Sequence, residues 1–143
     1  MTSGLLALMV AAIFTGAAIY VNFAEQPARL TLDDRALLAE WKPSYKRGFA
    51  MQAPLALVGF ALGLISWWQE SHPGFLIGAI LMIAPWPWTI FVIKPVNDAL
   101  LATELDQAGP RSRALIVKWG NLHAVRTALG ALASVAFLSA CSR

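Results

Sequence analysis

The chain has 143 residues, of which 58% are hydrophobic and only 13% are charged, and its mean hydropathy is +0.61. Because a soluble domain carries about 25% charged residues, this composition excludes a soluble globular protein and indicates an integral membrane protein of about four spans. The net charge of +3 does not indicate nucleic acid binding, since the basic residues are scattered through the loops between apolar runs.

The first predicted span covers residues 4–24, an uninterrupted run of apolar and small residues. Its polar end carries Asn22 and Glu25 on one helical stripe. Pro27 removes a backbone donor, so the helix is expected to kink or end close to it. The two polar residues either belong to a functional site or mark the water interface, and the sequence leaves both interpretations open.

Residues 29–47 form the longest predicted loop, and it is rich in charge. Thr31 is a candidate N-cap, with an acidic residue three positions later at Asp34. Leu37, Leu38 and Trp41 would then lie on the membrane surface as a short amphipathic helix. Trp41 and Tyr45 suit the headgroup region of the bilayer, as interface anchors.

The second and third spans are predicted at residues 48–68 and 74–93, joined by a short turn. Gly59 and Gly63 form a Gly-x-x-x-Gly pair that permits close helix contact. The third span contains Pro85-Trp86-Pro87-Trp88-Thr89, and two prolines inside a span free backbone carbonyl groups that must find other partners. This broken segment either lines a ligand cavity, with Trp86, Trp88 and Thr89 binding substrate, or is a structural kink.

The fourth span, at residues 118–138, contains a histidine and an arginine. Trp119, His123 and Arg126 share one helix face at spacings of i, i+4 and i+7. Ionisable side chains within a span cost about 2.5–3.5 kcal/mol each on insertion scales, so this face should point into the bundle. A buried arginine needs a counter-charge, for which Glu25 is the first candidate and Asp98 the second.

The chain contains no nucleotide-binding loop, zinc signature or nucleophile elbow, and the lone Cys141 cannot form an intrachain disulfide or a cysteine-based metal site. No metal site is expected. His123 is a candidate general base, because histidine titrates near physiological pH. Arg126 could stabilise an anionic intermediate.

Four segments, read together, carry a family resemblance. They are Gly16-x-x-x-Tyr20-x-Asn22-x-x-Glu25-x-Pro27, Pro87-Trp88-Thr89, Pro95-x-Asn97-x-x-Leu100 and Trp119-x-x-x-His123-x-x-Arg126-Thr127. In order and spacing they resemble the anthrone oxygenase-like family, small four-span membrane proteins of bacteria and fungi. The resemblance covers nearly the whole chain.

The resemblance implies a function and a set of site residues. Fungal members are associated with the oxidation of anthrones to anthraquinones without a bound metal or flavin, so no cofactor is expected. The site residues carried over are Asn22, Glu25, Asn97, Trp119, His123 and Arg126. Many fungal relatives have asparagine where this chain has His123, which departs from the family pattern.

Two hypotheses about function follow. In the first, the protein is a cofactor-independent oxygenase or related redox enzyme acting on a lipophilic phenolic or quinone-like substrate. His123, Arg126, Glu25 and Asn22 would be its catalytic residues. Trp86, Trp88, Thr89, Asn97 and Trp119 would bind the substrate, and dioxygen would be the second reactant. In the second hypothesis, the same residues form a non-catalytic network between helices.

The predicted fold is a single all-α domain over residues 1–143, an integral membrane up-down four-helix bundle. Nine basic residues lie in the two loops that follow the first and third spans, and only Arg143 lies beyond the fourth. By the positive-inside rule, both loops face the cytoplasm and both termini lie outside, which in a bacterium places the protein in the inner membrane.

This topology predicts that reporter fusions at Ala108 and at the C-terminus lie on opposite sides of the membrane. The physical reason is the retention of basic loops on the cytoplasmic side. Paired alkaline phosphatase and fluorescent protein fusions measure the two locations. If both positions report the same side, the topology is wrong.

Overall fold

The computed structural model describes residues 2–142 and contains four long helices. They are α1 (Thr2–Arg29), α2 (Asp34–Glu70), α3 (Pro73–Ala102) and α4 (Pro110–Cys141). A short 3-10 turn, Leu105–Gln107, lies between α3 and α4, and the described residues contain no strand. All four helices are long and apolar enough to span a membrane.

The four helices form an up-down bundle, as predicted. Helix α1 packs against α2 and α4, and α3 packs against the same two helices. Successive helices are joined by short connections, which favour antiparallel neighbours. The bundle therefore brings the end of α1, the first half of α2, the second half of α3 and the first half of α4 to one end of the molecule.

The helices extend well beyond the predicted spans, and the predicted charged loop at residues 29–47 is wrong. Helix α2 begins at Asp34, where Asp33 Oδ1 accepts a hydrogen bond from the backbone N–H of Ala36 (3.0 Å). Thr31 is not the N-cap, since its hydroxyl donates to the Ala28 carbonyl. At about 1.5 Å per residue, α2 is roughly 55 Å long, compared with about 30 Å for the hydrocarbon core of a bilayer.

Two separate apolar cores stabilise the bundle. The first lies among the purely apolar halves of the helices and includes Phe14, Phe75, Met82 and Phe137. The second lies at the end with the charged connections and consists of Leu37, Leu38, Trp41, Ile93, Val96, Leu100, Ile116 and Trp119. The expected position of Leu37, Leu38 and Trp41 on the membrane surface is wrong, because all three are fully buried in this second core. The apolar stripe formed by these three residues therefore packs against neighbouring helices and not against the membrane surface.

Prolines widen two helices without ending them. In α1, residues Val21–Glu25 form a π-helical turn in which the Gln26 N–H donates to the Val21 carbonyl, immediately before Pro27. In α3, residues Thr89–Ile93 form the same turn before Pro95, with Lys94 donating to Thr89. A proline ring clashes with the carbonyl group four residues earlier and supplies no N–H, and a wider turn accommodates both effects.

Glycines allow the helices to approach closely at Gly59 and Gly63, as the Gly-x-x-x-Gly pair predicts, and also at Gly130. A Cβ at Gly59 would lie 2.6 Å from Met82 Cε, one at Gly63 would lie 2.9 Å from the Phe137 ring, and one at Gly130 would lie 2.8 Å from the Phe14 ring. Gly16 makes no such contact, since a Cβ there would have no atom within 4 Å.

The Phe137 ring lies in a notch between Gly63 of α2 and Gly78 of α3, and Gly78→Ala should therefore destabilise the bundle. The added Cβ would lie 2.3 Å from Phe137 Cε1, and overpacking of this kind costs about 1–3 kcal/mol. Gly16→Ala is the matched control, because its Cβ has free space and alanine favours a helix over glycine. Thermal unfolding in detergent measures both changes. Equal effects at the two positions would show that the notch is not tightly packed.

Candidate functional site

The larger of two cavities that share lining residues, with a volume of about 520 Å³, lies between the two apolar cores. Its wall is formed by α1, α2 and α4, with Ile93 and Asn97 contributed by α3. Polar and charged lining residues are numerous for a site inside the bundle: Glu25, Glu40, Ser44, Tyr45, Arg47, Gln52, Asn97, His123 and Arg126. Aromatic and apolar residues, among them Tyr20, Phe49, Met51 and Trp119, complete the wall.

A second cavity of about 190 Å³ lies between α2 and α3 and ends at the same arginine. Its body is lined by Ala53, Ala56, Pro85, Trp86, Thr89 and Ile90, and its polar end by Lys94 and Asp98. Tyr45, Phe49, Asn97 and Arg126 line both cavities. These four side chains therefore form a shared wall between the two spaces.

His123 is held in one orientation by Asn22. The imidazole is only 2% exposed, and its Nδ1 lies 2.8 Å from Asn22 Oδ1. The Asn22 amide cannot turn over, because its Nδ2 donates to the Gly120 carbonyl (2.9 Å) and its Oδ1 also accepts from the Thr127 hydroxyl (2.8 Å). Since Oδ1 is an acceptor, Nδ1 of the neutral imidazole must carry the hydrogen and Nε2 must carry the lone pair.

Close contact between α1 and α4 makes this arrangement possible. A Cβ at Gly120 would lie 2.6 Å from Gln26 Nε2, so a larger residue here would displace the Gln26 amide. Gln26 donates to the Ile116 carbonyl (2.9 Å), one turn before the carbonyl that accepts from Asn22. Asn22 itself lies in the π-helical turn Val21–Glu25.

Arg126 has no carboxylate partner among the described residues. Its side chain lies within the bundle, where the residue is 8% exposed, and Nη2 donates to Gln52 Oε1 (3.2 Å). The guanidinium lies over the Phe14 ring, 5.8 Å from its centroid, and Nε has no hydrogen-bond partner. Arg126 also lines the larger cavity, and a cation without a carboxylate partner on a cavity wall can bind an anion or a carbonyl oxygen.

The expected pair between Glu25 and Arg126 is wrong. Glu25 instead forms an ion pair with Arg29, four residues later on α1, at 2.6 Å. The alternative partner, Asp98, pairs with Lys94 at 2.6 Å. Both carboxylates thus bind a cation one turn away on their own helix, where a short and already aligned contact is available.

Arg29 organises the polar end of the larger cavity. In addition to Glu25, its Nε lies 3.0 Å from Glu40 Oε2, and its Nη2 donates to the Ser44 hydroxyl (2.8 Å), which in turn donates to Glu25. The Arg29 guanidinium also lies over Trp119, 5.7 Å from the ring centroid. Arg29 is thus paired with two carboxylates, whereas Arg126 has no carboxylate partner within residues 2–142.

The proposed substrate-binding residues divide between the two cavities. Trp119 lies beside His123 in the larger one, with ring centroids 5.1 Å apart. Trp86 and Thr89 line only the smaller one. Trp88 lines neither, since its Nε1 donates to the Leu122 carbonyl (3.0 Å) and its ring packs in the second core. Asn97 lines both, is 2% exposed, and leaves its Oδ1 without a hydrogen-bond partner.

The sequence analysis missed Gln52 and Phe49, and it missed that Tyr45 lines both cavities. Gln52 is 2% exposed and binds Arg126. The signal for it was present, because a lone amide within the apolar run 48–68 must find a partner inside the bundle. Tyr45 stacks on Trp41 with nearly parallel rings 5.0 Å apart, and it packs against Phe49 one turn further along α2. Its aromatic character alone was compatible with the membrane interface.

Comparison with known protein families identifies the family to which the chain belongs. Residues 41–136 match the family model described as anthrone oxygenase. The chain belongs to the anthrone oxygenase family. No curated protein and no solved structure matches it.

The matched range of this anthrone oxygenase family member includes Gln52, Asn97, Trp119, His123 and Arg126, but it leaves out α1. Asn22, which orients His123, is therefore supplied by a helix outside the matched range. Within residues 2–142, no group of three or more histidine, cysteine, aspartate or glutamate side chains is arranged to hold a metal ion.

The hydrogen bonds predict opposite tautomers for the two histidines of this family member. His123 should carry its hydrogen on Nδ1, as argued above, whereas His72 Nδ1 accepts from the Gly74 N–H (3.1 Å) and so should carry its hydrogen on Nε2 when neutral. Nitrogen-15 NMR of labelled histidine in detergent distinguishes the two forms. Asn22→Ala should shift His123 toward the Nε2–H form and leave His72 unchanged. A His123 ring with hydrogen on Nε2 in the unaltered protein would overturn the proposed orientation.

Proposed function

We propose that this protein is an oxygenase that needs no bound cofactor and that oxidises a lipophilic aromatic ketone of the anthrone type. One observation carries the proposal: His123, whose tautomer is fixed by Asn22, and Arg126, which has no carboxylate partner, line the same cavity. A base and an anion-stabilising cation are the two groups that the removal of a proton next to a carbonyl system requires. Membership of the anthrone oxygenase family supports the same chemistry.

The larger cavity suits an aromatic substrate in size and lining. Its volume of about 520 Å³ lies within the range of about 300–1,000 Å³ that is usual for small-molecule sites. Phe49, Tyr45 and Trp119 provide apolar walls. The Arg126 guanidinium and the Asn97 side-chain amide also line this cavity, where they can bind the carbonyl oxygen and a hydroxyl group of the substrate.

In the first step, His123 Nε2 accepts a proton from the methylene carbon opposite the carbonyl group of the substrate. The negative charge that forms is delocalised to the carbonyl oxygen, where the Arg126 guanidinium stabilises it. Asn22 accepts the Nδ1 hydrogen bond throughout, so it stabilises the imidazolium that results from the transfer. Asn22 is a positioning residue, since it contacts the base and not the substrate.

In the second step, the carbanion reacts with dioxygen. A new C–O bond forms, and the peroxide receives the proton from His123. Loss of the remaining methylene hydrogen with cleavage of the O–O bond leaves a second carbonyl group, and hydroxide and the proton combine as water. One molecule of anthrone and one of dioxygen thus give one anthraquinone and one water, with carbon oxidised and oxygen reduced by four electrons.

Oxygen uptake by the purified protein with added anthrone tests the proposal. The unaltered protein should consume dioxygen and form anthraquinone faster than a protein-free control at the same pH. His123→Ala and Arg126→Gln should each lower the rate by about 10²-fold or more, the usual contribution of a general base or an oxyanion donor. His72→Ala is the matched control, because this histidine caps α3 away from either cavity.

Thermal unfolding of each variant separates catalysis from folding. His123→Ala should retain the fold, because the imidazole makes one side-chain hydrogen bond and Asn22 keeps its other two partners. Exchange of the anthrone methylene hydrogens with deuterated water under nitrogen isolates the first step. If the folded protein neither exchanges these hydrogens nor consumes dioxygen, the polar cluster is structural and the proposed function is wrong.

A further inference from the structure

We infer that the smaller cavity is the dioxygen site and that dioxygen meets the substrate anion at the wall which Arg126 forms between the two cavities. This inference rests on the proposed function. It assigns the two reactants to two spaces: the aromatic ketone to the larger cavity, and the small apolar oxidant to the smaller one.

The volumes of the two cavities indicate which reactant each of them accepts. The smaller cavity, at about 190 Å³, lies below the range of about 300–1,000 Å³ for drug-sized ligands, whereas the larger one lies within it. Apolar cavities of this order of size accept small apolar guests such as xenon. Dioxygen is a guest of that kind, and a tricyclic ketone is not.

The lining of the smaller cavity fits the same assignment. Its body consists of the methyl groups of Ala53 and Ala56 and the side chains of Pro85, Trp86 and Ile90. Trp86 is fixed there by a hydrogen bond from Nε1 to the Ala53 carbonyl (3.2 Å) and packs edge-on against Phe49. At the polar end, Lys94 and Asp98 neutralise each other at 2.6 Å.

Access from the bilayer is available between α2 and α3. Phe49 and Ile90 line the cavity, yet they remain 40% and 47% exposed, on helices that are apolar enough to span the membrane. Dioxygen is more soluble in hydrocarbon than in water, so the lipid supplies it to this side. The organic substrate reaches the larger cavity past Tyr20 and Met51, which are also exposed.

The shared wall is where the two reactants can meet. Arg126 and Asn97 line both cavities, and both have an unpartnered polar atom. A substrate anion held by Arg126 therefore lies next to the smaller cavity. Dioxygen from that side forms the C–O bond of the step described above, and the guanidinium stabilises the peroxide charge as it develops.

Cavity-filling substitutions provide a kinetic test. Ala53 lines only the smaller cavity and Ala17 only the larger one. Ala53→Leu should raise the KM for dioxygen several-fold and leave both the KM for anthrone and the anaerobic hydrogen exchange unchanged. Ala17→Leu, the matched control, should raise the KM for anthrone and leave that for dioxygen unchanged. If Ala53→Leu raises the KM for anthrone instead, the smaller cavity belongs to the organic substrate and the inference is wrong.

A binding measurement on the unaltered protein does not depend on turnover. Ala56 and Ala133 are equally buried, at 1% and 0% exposure, but only Ala56 lines the cavity. Under dioxygen pressure, paramagnetic relaxation of the Ala56 methyl group should exceed that of Ala133 several-fold. Equal relaxation would overturn the dioxygen site even if anthrone is oxidised. A large difference without any oxidation of anthrone would reject the proposed function and retain a dioxygen-binding cavity.

Discussion

A guanidinium group buried without a carboxylate is the constraint on which the rest of the site depends. Removing a charge from water is costly unless it is paired, and among the described residues Arg126 donates to the side-chain amide oxygen of Gln52 and lies over the face of Phe14, without a carboxylate. Arg29, nearby at the polar end of the cavity, shows the satisfied alternative, with Glu25 and Glu40 both within ion-pair distance. In the part of the chain that the structure describes, Arg29 is thus paired with carboxylates, whereas Arg126 lines both cavities without one.

The cavities lie where regular packing is interrupted. Apolar cores fill the bundle on both sides of the site, and between them the π-helical turns before Pro27 and Pro95 widen α1 and α3. The first of these turns carries Asn22, and the second begins at Thr89, in the wall of the smaller cavity. Wide helical turns are frequent at functional sites, because they alter the direction of side chains without breaking the helix.

Membership of the anthrone oxygenase family and the geometry of the site support each other, but they concern different residues. The family match covers His123, Arg126 and most of the cavity wall, whereas Asn22, which lies 2.8 Å from His123 Nδ1, is on α1. Asn22 donates to the Gly120 carbonyl of α4, and the space left by the absent side chain of Gly120 is filled by Gln26 of α1. The chemistry proposed for His123 therefore depends on a helix–helix distance as much as on the histidine itself.

The sequence by itself determined the fold class, the four spans and the face that carries Trp119, His123 and Arg126, because hydropathy and helical periodicity are local properties. It also indicated Asn22 as a neighbour of His123. Only the tertiary structure decided which charges pair. The charge and predicted depth of Glu25 were compatible with a pair with Arg126. In the structure Glu25 instead pairs with Arg29, which lies one turn away on the same helix. The local sequence could not predict the burial of Leu37, Leu38 and Trp41 either. An amphipathic stripe packs equally well on a membrane surface or on a neighbouring helix, and only the tertiary structure shows which of the two is present.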